Sequence, residues 1–185
     1  MRKLINSTYI SLDGVIENPH HWPPSSGKDD GTGGKIQTDL LLSCDAVLMG
    51  RRTYDGFAPV WMTKSGDPLS DRMNSIKKYV FSTTLTDPKW ANTTVLDGDV
   101  ATEVAKLKEQ PGENIVQYGF GQVSQALLDN GLIDELRLWV HPLIVGDAQP
   151  RDLLFRQGSQ ALFDHADTTT LANGIVVLSY TLRQV

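Results

Sequence analysis

Apolar residues along this chain fall into several distinct rhythms. Ala46-Val47-Leu48-Met49 and Tyr79-Val80-Phe81 are apolar throughout, the signature of short strands buried on both faces. Residues 2–11, 93–96 and 114–118 predict further strands, with 93–96 the weakest of them. Elsewhere the apolar spacing lengthens to three and four. It predicts helices over 35–44, from Arg51 to Phe57, and over 69–77 with Met73 and Ile76 at helical spacing. Two more follow, over 99–109 with Val100, Val104 and Leu107 on one face, and over 121–130 with Val123, Ala126 and Leu127. Asp99 suits a helix N-cap, and Pro111-Gly112 and Gly131 suit stops. In the last third, Leu136, Leu138 and Val140 alternate with Arg137, Trp139 and His141. Val176, Leu178, Tyr180 and Leu182 alternate in the same way. No long helix separates these two strands, so they are expected to run antiparallel. Residues 17–34 form a polar loop, long enough in a compact domain to mark a lid, a binding loop or a disordered segment. The sum is an α/β fold in one domain over residues 1–185. Its mixed sheet is parallel early and antiparallel late, with helices on both faces.

Composition narrows the setting. The chain has 185 residues, 40% hydrophobic and 21% charged, which argues against disorder and against a coiled coil. No run approaches the roughly eighteen apolar residues of a membrane span, and the first residues lack the apolar stretch of a signal peptide. Seventeen basic against twenty-two acidic residues give a net charge of −5. That disfavours nucleic acid and anionic membranes as partners, and leaves room for a local basic site that takes one small anion. The one cysteine, Cys44, sits beside an apolar run and is expected to pack in the core. A cytoplasmic location is the matching expectation.

Candidate chemistry gathers where strands end. Gly50-Arg51-Arg52-Thr53-Tyr54 joins a strand directly to a helix, so free backbone N–H groups and the helix dipole point beyond the strand end. Two arginines there are unfavourable unless an anion joins them, and a phosphate is such an anion. Val80-Phe81-Ser82-Thr83-Thr84 places hydroxyls after the next strand, either as an ordinary Ser/Thr turn or as ligands of a ribose or 2′-phosphate. Gln117-Tyr118-Gly119-Phe120-Gly121-Gln122-Val123 is a third strand–glycine–helix junction. It is a poor Rossmann fingerprint, because Ser124 occupies the third glycine position and no acidic residue follows at the expected distance. Three such sites together match an extended dinucleotide lying across a sheet edge. Asp13, before Gly14, is either a turn residue or a carboxylate that orients substrate or relays a proton. Trp22, Tyr54, Phe57 and Trp61 are either a wall for a flat ring or satellite core. His20-His21 with Asp29-Asp30 lacks metal-site spacing, so no metal is expected. His141 is expected to be a satisfied sheet residue.

The order Ser11-Leu12-Asp13-Gly14, Leu48-Met49-Gly50-Arg51-Arg52-Thr53-Tyr54 and Val80-Phe81-Ser82-Thr83-Thr84 resembles the dihydrofolate reductase-like superfamily. The nearest likeness is to bacterial proteins related to the C-terminal reductase domain of riboflavin biosynthesis. Tyr118-Gly119-Phe120-Gly121, Leu127 to Leu136, His141-Pro142-Leu143-Ile144-Val145-Gly146 and Leu153-Leu154-Phe155 extend the likeness over nearly the whole chain. The resemblance implies a three-layer αβα fold around a mixed, mostly parallel sheet, NADPH as cofactor, a small-molecule substrate and a homodimer. It assigns cofactor phosphates to Gly50, Arg51, Arg52 and Thr53, and the adenosine ribose or its 2′-phosphate to Ser82 and Thr83. It assigns the pyrophosphate to Gly119, Phe120, Gly121, Gln122 and Val123. Tyr118 stands where the family often has glycine, which places it at the nicotinamide and substrate end. Val15 stands where riboflavin-pathway reductases carry lysine, which argues against the ribosylated pyrimidine of that pathway. Asp39 lies too close to Gly50 to serve as the acid that folate reductases carry on their first helix. The expected activity is hydride transfer from NADPH to a cyclic or heteroaromatic substrate. The alternative is a binding protein that keeps the fold without turnover.

Overall fold

The structure, a computed structural model, describes residues 1–154 and 160–183. Phe155, quoted above for its motif, lies outside the described residues. Among them, eight strands form one sheet in the order β4-β3-β2-β5-β1-β6-β8-β7. These are β1 (Leu4–Ile10), β2 (Cys44–Gly50), β3 (Lys77–Phe81), β4 (Thr93–Leu96), β5 (Asn114–Tyr118), β6 (Glu135–Val140), β7 (Phe163–Thr170) and β8 (Val176–Leu182). The first six pair in parallel, and β8 pairs antiparallel with both β6 and β7. The helices are α1 (Thr32–Leu42), α2 (Arg51–Trp61), α3 (Pro68–Ser75), α4 (Val100–Glu109) and α5 (Gln122–Asp129).

Strand alternation sends neighbouring residues into two cores. Leu4, Ala46, Leu48, Phe81, Ile115 and Leu136 face Val104 and Leu107 of α4 and Leu127 of α5. Ile5, Val47, Met49, Val80 and Val116 face Leu40 and Leu41 of α1, Tyr54 and Ala58 of α2, and Met73 of α3. This is why the central strands read as apolar throughout: both faces are covered. The result is the three-layer αβα arrangement expected from the sequence.

Several expected boundaries shift. The first helix begins at Thr32 and ends at Leu42, and Cys44 opens β2 instead of closing that helix. The second runs past Phe57 to Trp61 with Pro59 inside it, because one further turn still buries Ala58 against the sheet. Strand β7 has no counterpart in the sequence reading. Its residues, FDHADTTT, are mostly exposed and pair on one side only, so no alternation marks them. The loop after β1 is shorter than expected and is packed down. A Cβ on Gly27 would lie 2.2 Å from the Cα of Asn173, so the loop rests directly on the β7–β8 turn.

Candidate active site

All six parallel strands end on the same edge, where Leu96, Phe81, Gly50, Tyr118, Ile10 and Val140 close β4, β3, β2, β5, β1 and β6 in spatial order. Ser82, Gly50, Gly119 and Asp13 therefore stand along one row. Three inter-strand steps span about 14 Å, the scale of an extended dinucleotide.

The opening in this row follows from topology. Strands β2 and β5 are neighbours, yet β2 feeds α2 on one face and β5 feeds α5 on the other. Divergence of that kind leaves a crevice between two helix N-termini. The two termini are close: a Cβ on Gly50 would lie 3.4 Å from Val123 Cγ2, and one on Gly119 would lie 3.9 Å from Thr53 Oγ1. Neither helix is capped by a side chain. Its N-cap is Gly50 in one case and Gly121 in the other. Helix α4 begins at the same edge and is capped by Asp99, whose carboxylate accepts from Thr102 N at 2.9 Å. The first-turn N–H groups of α2 and α5 thus lack the side-chain partner that α4 has.

The glycine turn between β5 and α5 is held from below. Gly119, at φ +75°, donates its N–H to Ser7 O at 3.1 Å. Its carbonyl accepts from Asn6 Nδ2 at 2.9 Å and from Ser124 Oγ at 3.2 Å. Asn6 also donates to Gln117 Oε1 and accepts from Thr8 Oγ1, so a buried polar network fixes the turn. A left-handed φ suits glycine, since a Cβ there would be strained.

Arg51 crosses from α2 to the next strand end. Its Nε donates to both Asp55 carboxylate oxygens at 2.8 and 2.9 Å, and its Nη1 donates to Thr84 Oγ1 at 3.2 Å. Arg52 reaches the loop after β1, where Nη2 meets Glu17 Oε2 at 3.1 Å. Ser82 forms a Ser/Thr turn, its Oγ accepting from Thr84 N and Leu85 N. Thr83 is exposed beside it.

Other residues singled out from sequence fall elsewhere. Tyr54 is buried, packs on Trp90 at 6.3 Å and accepts from Trp90 N at 3.2 Å, so it belongs to the core and not to a ligand wall. Phe120 turns its side chain into the core under α4 and α5, leaving only its backbone at the glycine turn. Phe57 packs on Tyr118 at 5.7 Å and on Trp61 at 6.4 Å, a partly buried aromatic group beside the crevice. Burial pushes the Tyr118 phenol well above its usual pKa, with the Cys44 thiol a smaller contributor. Trp22 packs edge-on to His141 at 5.3 Å.

Asp13 is pinned. Its carboxylate accepts from Ser11 Oγ at 2.6 Å, from Gly146 N at 2.9 Å and from Val145 N at 3.1 Å. The Ser11 hydroxyl and then the Gly146 amide bring its pKa down to about 2. It is therefore a carboxylate at neutral pH, suited to orienting groups and unsuited to donating a proton. His141 is not the satisfied sheet residue expected, since its Nε2 is buried without a partner. Gln37 Oε1 is in the same condition, and sequence reading passed over it. A signal was present: Gln37 shares the stripe of Gly33, Ile36, Leu40 and Leu41, where an apolar residue is the norm. Among the described residues, no group of three or more His, Cys, Asp or Glu side chains could hold a metal, and no helix is long and apolar enough to cross a membrane.

A doubly covered, mostly parallel sheet with a crevice at its carboxyl edge defines a three-layer α/β protein. The chain belongs to the family described as the RibD C-terminal domain, whose sequence profile matches residues 2–177. It is 30% identical over 185 residues to the protein YyaP of Bacillus subtilis (strain 168), covering 97% of this chain and 94% of that one. A putative riboflavin biosynthesis protein from Shewanella sp. PV-4 shares the fold over the full length of both chains, with a TM-score of 0.71 and 22% identity. A Thermotoga maritima diaminohydroxyphosphoribosylaminopyrimidine deaminase/5-amino-6-(5-phosphoribosylamino)uracil reductase matches 98% of this chain and 57% of its own, with a TM-score of 0.66 and 14% identity. The fold is that of riboflavin-type reductase domains in the dihydrofolate reductase-like superfamily.

Proposed function

We propose that the protein is an NADPH-dependent reductase that transfers a hydride to a small cyclic or heteroaromatic substrate. The observation that carries this is the pair of uncapped helix N-termini, α2 behind Gly50 and α5 behind Gly121, facing one crevice on adjacent strands. A pyrophosphate is the anion whose oxygens match two such sets of N–H donors at once. The space fits as well: a Cβ on Gly121 would meet nothing within 4 Å, so the turn is open toward solvent.

On this proposal Gly50, Arg51, Arg52 and Thr53 hold phosphate oxygens from the α2 side. Gly119, Phe120, Gly121, Gln122 and Val123 present backbone N–H groups from the α5 side. Ser82 and Thr83 take the adenosine ribose and its 2′-phosphate, with Arg51 already reaching Thr84 in that turn. The cofactor, when bound, supplies the hydride, and the protein supplies placement and electrostatics. Trp22, Phe57, Trp61 and Tyr118 border the substrate end, and Asp13 stays ionised to orient that end. A homodimer and a cytoplasmic setting belong to the same proposal; a monomer by light scattering would remove the first.

Parallel titrations with NADPH and NADH, followed by tryptophan fluorescence, test the cofactor. Tight NADPH and weak NADH binding is the expected result, and no binding of either overturns the proposal. Arg51→Ala should weaken NADPH about tenfold more than NADH, the scale of one charge-assisted contact; equal losses would remove the 2′-phosphate role. One observation favours a second reading, a cofactor- or ligand-binding protein without turnover: Asp13 is ionised and cannot act as the acid. NADPH oxidation with a panel of pterins, flavins and quinones separates the two. Turnover of any member supports the reductase, and tight binding with no turnover across the panel supports the binder.

A further inference from the structure

On the α1 face, the strands beyond β1 carry a groove that the proposed cofactor contacts do not use. It holds about 250 Å³ and is lined by Arg137 of β6, Val177 and Ser179 of β8, Asp167 and Thr169 of β7, and Ile36 of α1. Pairing places Arg137 opposite Ser179 and Ser179 opposite Asp167. A guanidinium, a hydroxyl and a carboxylate therefore follow one another in one row across three strands, with the two charged residues rooted about 10 Å apart. A bulge puts Asp167 in that row. Strand β7 starts with Phe163 opposite Leu182 and His165 opposite Tyr180, on the face away from α1. Strict alternation would return Asp167 to the face of His165. The register shifts between them, and the extra residue, Ala166, turns Asp167 and Thr169 to the face of Ser179 and Val177.

The two charges do not pair with each other. Arg137 Nε donates along its own strand to Glu135 Oε1 at 2.5 Å, and its terminal nitrogens make no hydrogen bond among the described residues. The Arg137 side chain is 23% exposed, so this guanidinium is held in place and is not a free surface cation. Asp167 accepts from Thr169 Oγ1 on its own strand at 3.2 Å. Between them Ser179 is 9% exposed, and its hydroxyl, which lines the groove, makes no hydrogen bond among the described residues. Spare donors thus stand at one end of the groove and spare acceptors at the other. A ligand of one charge leaves one end unmatched, whereas a zwitterion matches both. Ile36 and Val177 add an apolar wall. The volume lies below the ~300–1,000 Å³ of drug-sized pockets, which limits the ligand to a small molecule.

We propose that this groove binds a free α-amino acid with an aliphatic side chain. Its carboxylate accepts from the Arg137 terminal nitrogens and the Ser179 hydroxyl, its ammonium donates to the Asp167 carboxylate, and its side chain lies against Ile36 and Val177. The assignment does not rest on the reductase reading, since none of these residues belongs to the proposed cofactor contacts.

Titration of the cofactor-free protein with L-leucine, isocaproate, isoamylamine and glycine tests this, read by calorimetry and by amide chemical shifts. Isocaproate lacks the ammonium of leucine, isoamylamine lacks its carboxylate, and glycine lacks its aliphatic group. Leucine should bind at millimolar concentration or below and shift the amide resonances of Arg137, Ser179 and Asp167. Isocaproate and isoamylamine should each bind about tenfold more weakly or worse, the scale of one lost charge-assisted contact, and glycine should also bind more weakly than leucine. Asp167→Asn, at an exposed position where the fold does not depend on the carboxylate, should weaken leucine about tenfold and leave isocaproate unchanged. Arg137→Gln should weaken leucine and isocaproate and leave isoamylamine unchanged. No leucine binding at millimolar concentration, shifts confined to other parts of the sheet, equal affinity for leucine and any of the three analogues, or unchanged leucine affinity in Asp167→Asn would each overturn the assignment.

Discussion

At the N-terminal ends of the parallel strands, Arg2, Lys78 and Lys108 are buried and fully engaged. Arg2 pairs with Asp45 and donates to the Glu113 and Leu107 carbonyls. Lys108 pairs with Asp134 at 2.6 Å, and its side chain, like that of Arg2, is 5% exposed. Lys78 donates to the carbonyls of Asn74, Ile76 and Ala91 and lies 4.5 Å from the Trp90 ring. At the opposite ends, the Arg52 side chain is 76% exposed, and two helix N-termini carry no side-chain cap. One edge of the sheet uses charge to close the fold, and the other keeps charge and N–H donors open. The difference teaches that burial, more than residue type, separates structural cations from ligand-ready ones.

The comparison breaks first at the closed edge. Lys78→Ala should destabilise the fold by about 3 kcal/mol, since it opens a cavity and strands three carbonyls. Urea unfolding measures it, and a loss below about 1 kcal/mol would mean those carbonyls find other partners. Lys78 also gives a pH signature. Burial lowers its pKa from 10.5 to about 8. Between those values the unfolded chain binds the extra proton, so stability should rise with pH across that window. The rise should vanish in Lys78→Met.

The open edge can be converted into a closed one. Gly121→Asp would copy the Asp99 cap of α4 onto α5, and the new side chain has free space. The variant should gain about 0.5–1 kcal/mol in thermal stability while NADPH affinity falls about tenfold or more through competition and repulsion. A variant that becomes more stable and binds as before would remove α5 from the anion site.

The smallest expected effect concerns Asp13, which joins the β1 end to the Val145–Gly146 turn. Its carboxyl is depressed from 3.8 to about 2, so its tether is fully present above pH 3.8 and is lost as pH falls through about 2. The Gly146 amide resonance should titrate with that midpoint. A midpoint near 3.8 would show that the carboxylate is free in solution.

Much of this was legible in the chain. The Asp99 cap, the all-apolar central strands and the antiparallel pairing of β6 with β8 follow from local rules, because each depends on residues close in sequence or on burial of two faces. Three features were not. Strand β7 is polar and paired on one side, so it carries no periodic mark. Tyr54 was indistinguishable from Phe57 and Trp61 as an aromatic on one helix, yet its partner Trp90 lies 36 residues away in sequence. The orphaned atoms of Gln37 and His141 sit on different elements, and it is packing between elements that buries them.

By itself, then, the sequence determined the kinds of elements and where most of them begin, since capping, glycine placement and hydrophobic period act over a few residues. The motif order also carried the family resemblance. Tertiary structure decided which of those elements meet. Strand β5 enters the sheet between β1 and β2, more than sixty residues after β2 ends. That insertion sets Gly50 against Val123, brings Gly119 to Thr53, and opens the crevice between α2 and α5. Pairing of this kind depends on the global choice of strand neighbours, which no short window of residues contains.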